Sequence, residues 1–219
     1  MKTGLRLGFL LSAALALSCG GSKMSGAASS GSKDNSLSAS AQPSGDARED
    51  VKKALQHLHD AKSFRSRTEA NGMALMEVEF VNPDRFHWKA QSSEGGGEFV
   101  VIGKDTFVRK GDSLWMKSPV GMGAMSAMIL QLRDADIEEA MTQREEIKFV
   151  GPDVLERAPM FLYQYKYKPT DKIWKMWIGA SDWLPHKSEG ESEPSGASQV
   201  KTTVIWSDYN SDIKIEPPI

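Results

Sequence analysis

"FRSRTEANGMALMEVEFVNPDRFHWKAQ", Phe64 to Gln91, alternates apolar and polar residues on both sides of two turn signals. Asn71-Gly72 is the dipeptide that a two-residue hairpin turn demands, because both positions need a left-handed backbone. Beyond it, Ala74, Met76, Val78 and Phe80 share one side, and Glu77 and Glu79 the other. Asn82-Pro83-Asp84 turns the chain again. Phe86, Trp88 and Ala90 then alternate with Arg85, His87 and Lys89. A period of two over three segments predicts neighbouring antiparallel strands.

The same pattern extends in both directions. "GEFVVIG", "TFVRKG" and "SLWMK" are three more short strands separated by Gly-Lys-Asp and Lys-Gly-Asp turns. After an interruption come "EIKFVGPDVL", "PMFLYQYKYK", "KIWKMWIG", "LPHKSEGESE", "QVKTTVIWSDYN" and "DIKIEPP". Phe161, Tyr163, Tyr165 and Tyr167 alternate on one face of a strand, and Trp174, Met176 and Ile178 on the next. "KSEGESEPSGAS" also reads as a polar hairpin tip. The expected fold is α+β: an incomplete, half-open antiparallel β-barrel of about ten to eleven strands, since so many strands need strong curvature.

Two helical stretches flank or interrupt the strands. Upstream, "DAREDVKKALQHLHDAKSF" puts Val51, Ala54, Leu55, Leu58 and Ala61 on one helical face, with Asp46 as N-cap and Glu49 at capping-box spacing. His57 and His59, two apart, point to different sides and are expected on a solvated face. In the middle, "GMGAMSAMILQL" sets Met122, Met125, Met128, Ile129 and Leu132 at helical spacing within a stretch running from Val120 to about Met141. Methionine repacks around irregular shapes, so this segment is expected either to plug the sheet or to act as a central helical lid over its concave face.

The N-terminus reads as an address. Lys2 and Arg6 precede the apolar run Leu7–Leu17, too short for a permanent membrane span, and then "ALSCGG" with Cys19, the sole cysteine among 219 residues. A single cysteine forms no internal disulfide. Its position is similar to a bacterial lipobox, which implies lipid attachment at Cys19 and a signal peptide over 1–18, with Ala16 standing where Leu is usual. Residues 19–46 are the lipidated cysteine and a Ser/Gly-rich tether with little to bury. Such a flexible chain of about 27 residues reaches about 30 Å. Residues 47–219 form the folded domain.

The chemistry points away from catalysis. A net charge of −2 supplies no basic field for nucleic acid. There is no Gly-x-Ser-x-Gly elbow. "GEFVVIGKD" has the wrong glycine spacing for a phosphate loop, and Asp105 stands where Ser or Thr is needed. The acidic run Asp134 to Ala140 lacks calcium-loop spacing and reads as a helix N-terminal charge cluster. His87 and His186 lie in strands without an evident ligand pair and are expected to face solvent. The sequence thus predicts no enzyme, no metal and no cofactor.

Several motifs, in order, resemble the lipoprotein-carrier superfamily, which includes LolA/LolB-like proteins and the LppX/LprG group of lipid-binding lipoproteins. They are Pro83-Asp84-Arg85-Phe86, Gly103-Lys104-Asp105, Phe149-Val150-Gly151, Leu184-Pro185-His186-Lys187, and Asp208-Tyr209-Asn210 through Pro217-Pro218. The resemblance spans roughly Asp46 to Ile219. It implies an apolar cavity for the acyl chains of a lipid or lipoprotein, lined by Phe80, Phe86, Trp88, Trp174 and Met176 and covered by the methionine segment. It also implies an envelope location on the periplasmic side. Gly20 follows the cysteine where Asp would signal retention at the inner membrane, which favours the outer one. Asn82 stands where the diffusible shuttle usually has an Arg that holds its lid. With Cys19 as an anchor, this favours an acceptor or lipid-binding lipoprotein over a shuttle. The alternative is a structural or sensory lipoprotein that uses the same fold to bind an envelope protein partner.

Overall fold

The computed structural model describes residues 42–91, 96–118, 137–192 and 200–219. Cys19 and the Met122, Met125, Met128, Ile129 and Leu132 stretch lie outside the described residues.

Helix α1 (Ala47–Asp60) starts where its sequence says it should. Asp46 is extended, and its carboxylate accepts from the N–H groups of Arg48 and Glu49, satisfying two donors that no helical carbonyl reaches. The reciprocal half of the expected capping box is replaced, because the Asp46 N–H donates to Ser44 Oγ. Val51, Ala54, Leu55 and Leu58 are all buried, and Ala61 leaves the helix in an extended conformation.

Eleven strands then form one antiparallel sheet: β1 (Ser63–Ala70), β2 (Met73–Val81), β3 (Arg85–Ala90), β4 (Gly97–Ile102), β5 (Asp105–Lys110), β6 (Met116–Lys117), β7 (Arg144–Leu155), β8 (Ala158–Tyr167), β9 (Lys172–Gly179), β10 (Pro185–Ser192) and β11 (Val200–Ser207). A short helix α2 (Ile137–Thr142) precedes β7. The spatial order is β6-β5-β4-β3-β2-β1-β11-β10-β9-β8-β7. Every ladder joins sequence neighbours except one: β1 pairs with β11, with Arg67 opposite Ile205. β6 and β7 are the ends of the sheet and do not pair with each other, so it is half-open. Asn71 and Gly72 have φ of 49° and 80°, the mirror-image turn that two-residue hairpins select.

Register fixes the two faces. Phe64, Phe80, Phe86 and Val101 occupy directly paired positions on one side of β1–β4. Trp206, Ser188, Met176 and Tyr163 follow on that same side across β11–β8. This is the face on which α1 and α2 pack.

Two expectations need correction. "DIKIEPP" forms no strand. Ile213 and Ile215 instead pack on Val100 and Phe107, whose register puts them on the outer face of β4 and β5. The Ile215 carbonyl is taken by Arg85 Nη1 at 2.8 Å. Two prolines that lack N–H groups end the run, which explains why its alternation does not become a ladder. Lys187 to Glu191, the first residues of the expected polar tip "KSEGESEPSGAS", lie in β10, as the expected strand "LPHKSEGESE" has them, and residues 193–199 lie outside the described residues. Gly190 there lies directly opposite Trp174. His57 and His59 are half-buried rather than solvated. His57 Nδ1 lies 3.0 Å from the Asp182 carbonyl and His59 Nδ1 lies 3.1 Å from Asp60.

Candidate functional site

The inner face divides into a filled half and a partly uncovered half. The filled half is β8–β10 under α1 and α2. Phe161, Tyr163, Tyr165, Tyr167, Trp174, Met176 and Ile178 are buried there against Val51, Ala54, Leu55, Ile137, Ala140 and Met141. Trp174 and Met176, two of the residues expected to line a cavity, belong to this cluster.

Polar groups within the filled half are placed with care. The Tyr163 hydroxyl donates to Asp50 Oδ2 at 2.8 Å, and the same carboxylate accepts from the Ser44 N–H. Burial first, and then the hydrogen bond to Asp50 and its charge, push the Tyr163 hydroxyl well above the ordinary tyrosine range, so it stays a donor. Tyr167 donates to Gln143 Oε1 at 3.1 Å. Arg144, 5% exposed, donates from Nη1 to the Ala140 carbonyl at 2.6 Å, closing the C-terminal end of α2. Its guanidinium lies 5.3 Å from the Tyr165 ring centre and 6.0 Å from that of Tyr167.

In the other half, Leu58 of α1 and Ala61 just after it cover Phe64, Phe80, Phe86, Val101, Val204 and Trp206. Phe80 lies between Phe64 and Phe86, with ring centres at 5.1 and 4.8 Å. Two more of the expected lining residues, Phe80 and Phe86, are therefore together, but in a different cluster from Trp174 and Met176. Beyond this contact the cover thins. Trp88, the fifth, stacks on Phe99 at 5.0 Å. Both rings are only half-buried, as is Val108, and Met116 is 60% exposed. Register puts all four on the inner face of β3–β6. The Trp88 indole N–H is shielded from solvent and has no acceptor among the described residues.

The outer face carries a row of alternating charge. Asp208 pairs with Arg65 at 2.9 Å, Arg65 with Glu79 at 2.8 Å, Glu79 with His87 at 3.1 Å, His87 with Glu98 at 3.3 Å, and Glu98 with Arg109 at 2.6 Å. His87 is therefore held between two carboxylates rather than facing solvent, because it stands opposite Glu79 in the β2–β3 ladder. His186 is likewise paired, at 3.0 Å from Asp182. Burial pushes the Glu79 and Glu98 carboxyls up. Hydrogen bonds from Arg65 and His87 to the first, and from Arg109 and His87 to the second, outweigh it and hold both below the usual range. A groove of about 410 Å³ opens on this face among Arg65, Arg67, Glu77, His87 and Lys89. Its charges are mixed and largely engaged with one another.

Among the described residues no cluster of His, Cys, Asp and Glu could hold a metal ion, and no helix is long and apolar enough to cross a membrane. Sequence reading missed Asp50, Arg144 and Gly190. Asp50 had a signal, since it sits four residues before Ala54 and next to Val51, within the apolar stripe of α1. Arg144 and Gly190 had none, because their surroundings are set by the register against the neighbouring strands β8 and β9, which spacing along the chain does not give.

No family model matches the chain, and no curated protein matches it by sequence. Solved structures do match in fold. The Mycobacterium tuberculosis lipoprotein LppX is 12% identical with a TM-score of 0.58, over 80% of this chain and all of the other. LprF from Mycobacterium bovis is 11% identical with a TM-score of 0.57, over 80% of this chain and 98% of the other. The half-open sheet is thus the fold that the sequence resemblance implied.

Proposed function

We propose that this protein is an envelope lipoprotein, anchored through Cys19, that holds acyl chains of a lipid or lipoprotein against the inner face of its sheet. One observation carries the reading: the apolar strip of half-buried Trp88, Phe99 and Val108 and exposed Met116, which α1 and α2 leave without full cover. Large apolar groups left part-exposed in a concave wall favour an apolar ligand. Met122, Met125, Met128, Ile129 and Leu132, in the stretch of chain that follows β6, are part of this proposal as the cover.

The energetics favour exchange over tight capture. Each buried methylene contributes about 0.8 kcal/mol, so a 16-carbon chain leaving water gains about 12 kcal/mol before ordering costs. A bilayer offers the chain an equally apolar home. Transfer between the two is therefore close to balanced, as a carrier or acceptor requires. The filled half of the inner face favours a second reading, in which the fold is complete without cargo and serves a protein partner instead.

Native purification followed by mass spectrometry of the organic extract separates the two. The lipid reading expects co-purifying acyl lipid and uptake of a fluorescent fatty acid. Trp88→Asp or Met122→Asp should weaken uptake while far-UV circular dichroism stays unchanged. An extract free of lipid, with no probe uptake by folded protein, refutes it.

A further inference from the structure

The two ends of the β1–β6 half differ. At one end the inner face is closed. Phe86, Val101 and Thr106, side by side across β3–β5, are all buried, and Leu58, Phe64 and Phe80 pack with the first two. Two residues further along each strand, Trp88, Phe99 and Val108 are half-buried. Two beyond those, Ala90 and Gly97 are half-buried and Lys110 is exposed. The cover therefore thins in one direction, toward the end that carries the β1–β2 turn and the β5–β6 turn.

That end also carries protruding apolar side chains. Among the described residues, nine large hydrophobic side chains are exposed, and four of them are here. Met73 and Leu75, 69% and 43% exposed, follow the β1–β2 turn; Leu114, 87% exposed, lies in the β5–β6 turn, and Met116 begins β6. One exposed aliphatic residue needs no explanation. Four at the same end of one sheet, continuous with a half-buried apolar strip through Met116, mark a contact surface.

Shape and charge select the occupant. Side chains that project singly beside turns offer no flat or concave patch for a folded partner to match, whereas a bilayer yields around them. Lys110 and Asp112 leave the β5–β6 turn without net charge, so its contact is apolar. A wall that opens toward the bilayer also lets an acyl chain leave the membrane without crossing water.

We propose that Met73, Leu75, Leu114 and Met116 form a membrane-docking rim, across which acyl chains pass between a bilayer and the inner face. The rim rests on the acyl-binding reading above and adds to it a partner surface and a direction of entry.

The test labels full-length protein with hydroxyl radicals, with and without phosphatidylcholine vesicles, and reads the label residue by residue by mass spectrometry. On vesicles Met73, Leu114 and Met116 should lose label about fivefold, as side chains sunk below the headgroups do. Val150 and Val154 of β7, 55% and 65% exposed, should keep theirs. An anchor at Cys19 brings the protein to the vesicle without choosing which end is covered, so this contrast isolates the rim. The second readout is uptake of a fluorescent palmitate. Met73→Asp with Leu114→Asp, both at exposed positions outside the apolar strip, should slow uptake from vesicles about tenfold and leave affinity for palmitate in buffer unchanged. Protection absent from the rim, or equal at Val154, overturns the proposal and leaves the acyl reading standing if the parent binds palmitate. An unchanged uptake rate in the variant overturns the entry route. Rim protection that appears without vesicles as protein concentration rises assigns the surface to a second copy and overturns the membrane. A parent that binds no palmitate overturns the acyl reading and the passage with it.

Discussion

Gly190→Ala tests how tightly the inner wall is packed. A Cβ at Gly190 would lie 2.4–2.6 Å from three atoms of the Trp174 indole, well inside van der Waals contact. The indole cannot retreat easily, being 4% exposed with Tyr167 at its edge. Overpacking of this kind costs about 1–3 kcal/mol, and a rigid, enclosed ring belongs at the upper end. Replacing Gly by Ala recovers about 0.5–1 kcal/mol by restricting the unfolded chain. The net loss is therefore about 2 kcal/mol. At about 2–4 °C per kcal/mol for a chain of this size, Tm falls by about 4–8 °C. Urea denaturation followed by circular dichroism measures the free energy. The decisive control is the double-mutant cycle with Trp174→Ala. That change is itself destabilising by about 3–5 kcal/mol, but it opens the space that the methyl needs. In that background Gly190→Ala should gain about 0.5–1 kcal/mol, a coupling of about 3 kcal/mol. A single variant as stable as the parent, or a double variant in which the two losses simply add, refutes the argument.

Tyr163→Phe removes the hydroxyl that donates to a carboxylate 2% exposed. It should lower stability by about 1–3 kcal/mol, whereas Asp50→Asn, which still accepts from Tyr163, should cost less; both are read by urea denaturation. The outer charge row predicts acid sensitivity. Glu79 and Glu98 have folded pKa values below their unfolded ones, so their contribution is fully present above about pH 4.3 and is lost as pH falls through the folded values. Tm measured against pH should drop through that window, and Glu79→Gln with Glu98→Gln should flatten the drop. An unchanged slope would remove these two groups from the account.

What could be read from the sequence was local. Asn71-Gly72 admits one hairpin geometry, and alternation in "MFLYQYKY" puts Phe161, Tyr163, Tyr165 and Tyr167 on one face without knowledge of their neighbours. Even the His87–Glu79 contact was within reach. The β2–β3 hairpin is symmetric about Pro83, so residues 79 and 87 must face each other. Ile213 and Ile215 show the limit of the method, because alternation assigns faces but does not say whether a ladder partner exists. The Tyr163–Asp50 bond joins residues 113 apart, and Arg144 depends on α2 and β8 at once. No local pattern encodes such contacts. Of the expected lining residues, Trp88, Phe80 and Phe86 were visible as large inward groups. That Trp174 and Met176 lie beneath helices depends on where α1 crosses, which spacing along the chain does not give.

The single ladder between distant segments, β1 with β11, has a consequence for how the chain assembles. Nine of the ten strand pairings can zip from adjacent hairpins, at little cost in loop entropy. The seam must instead gather residues such as Arg67 and Ile205 across 138 positions, and topology of that kind slows folding. Two half-sheets are expected to form first and to meet at Thr68 and Val204. Weakening that meeting line would delay the last event of assembly more than a comparable lesion inside either half.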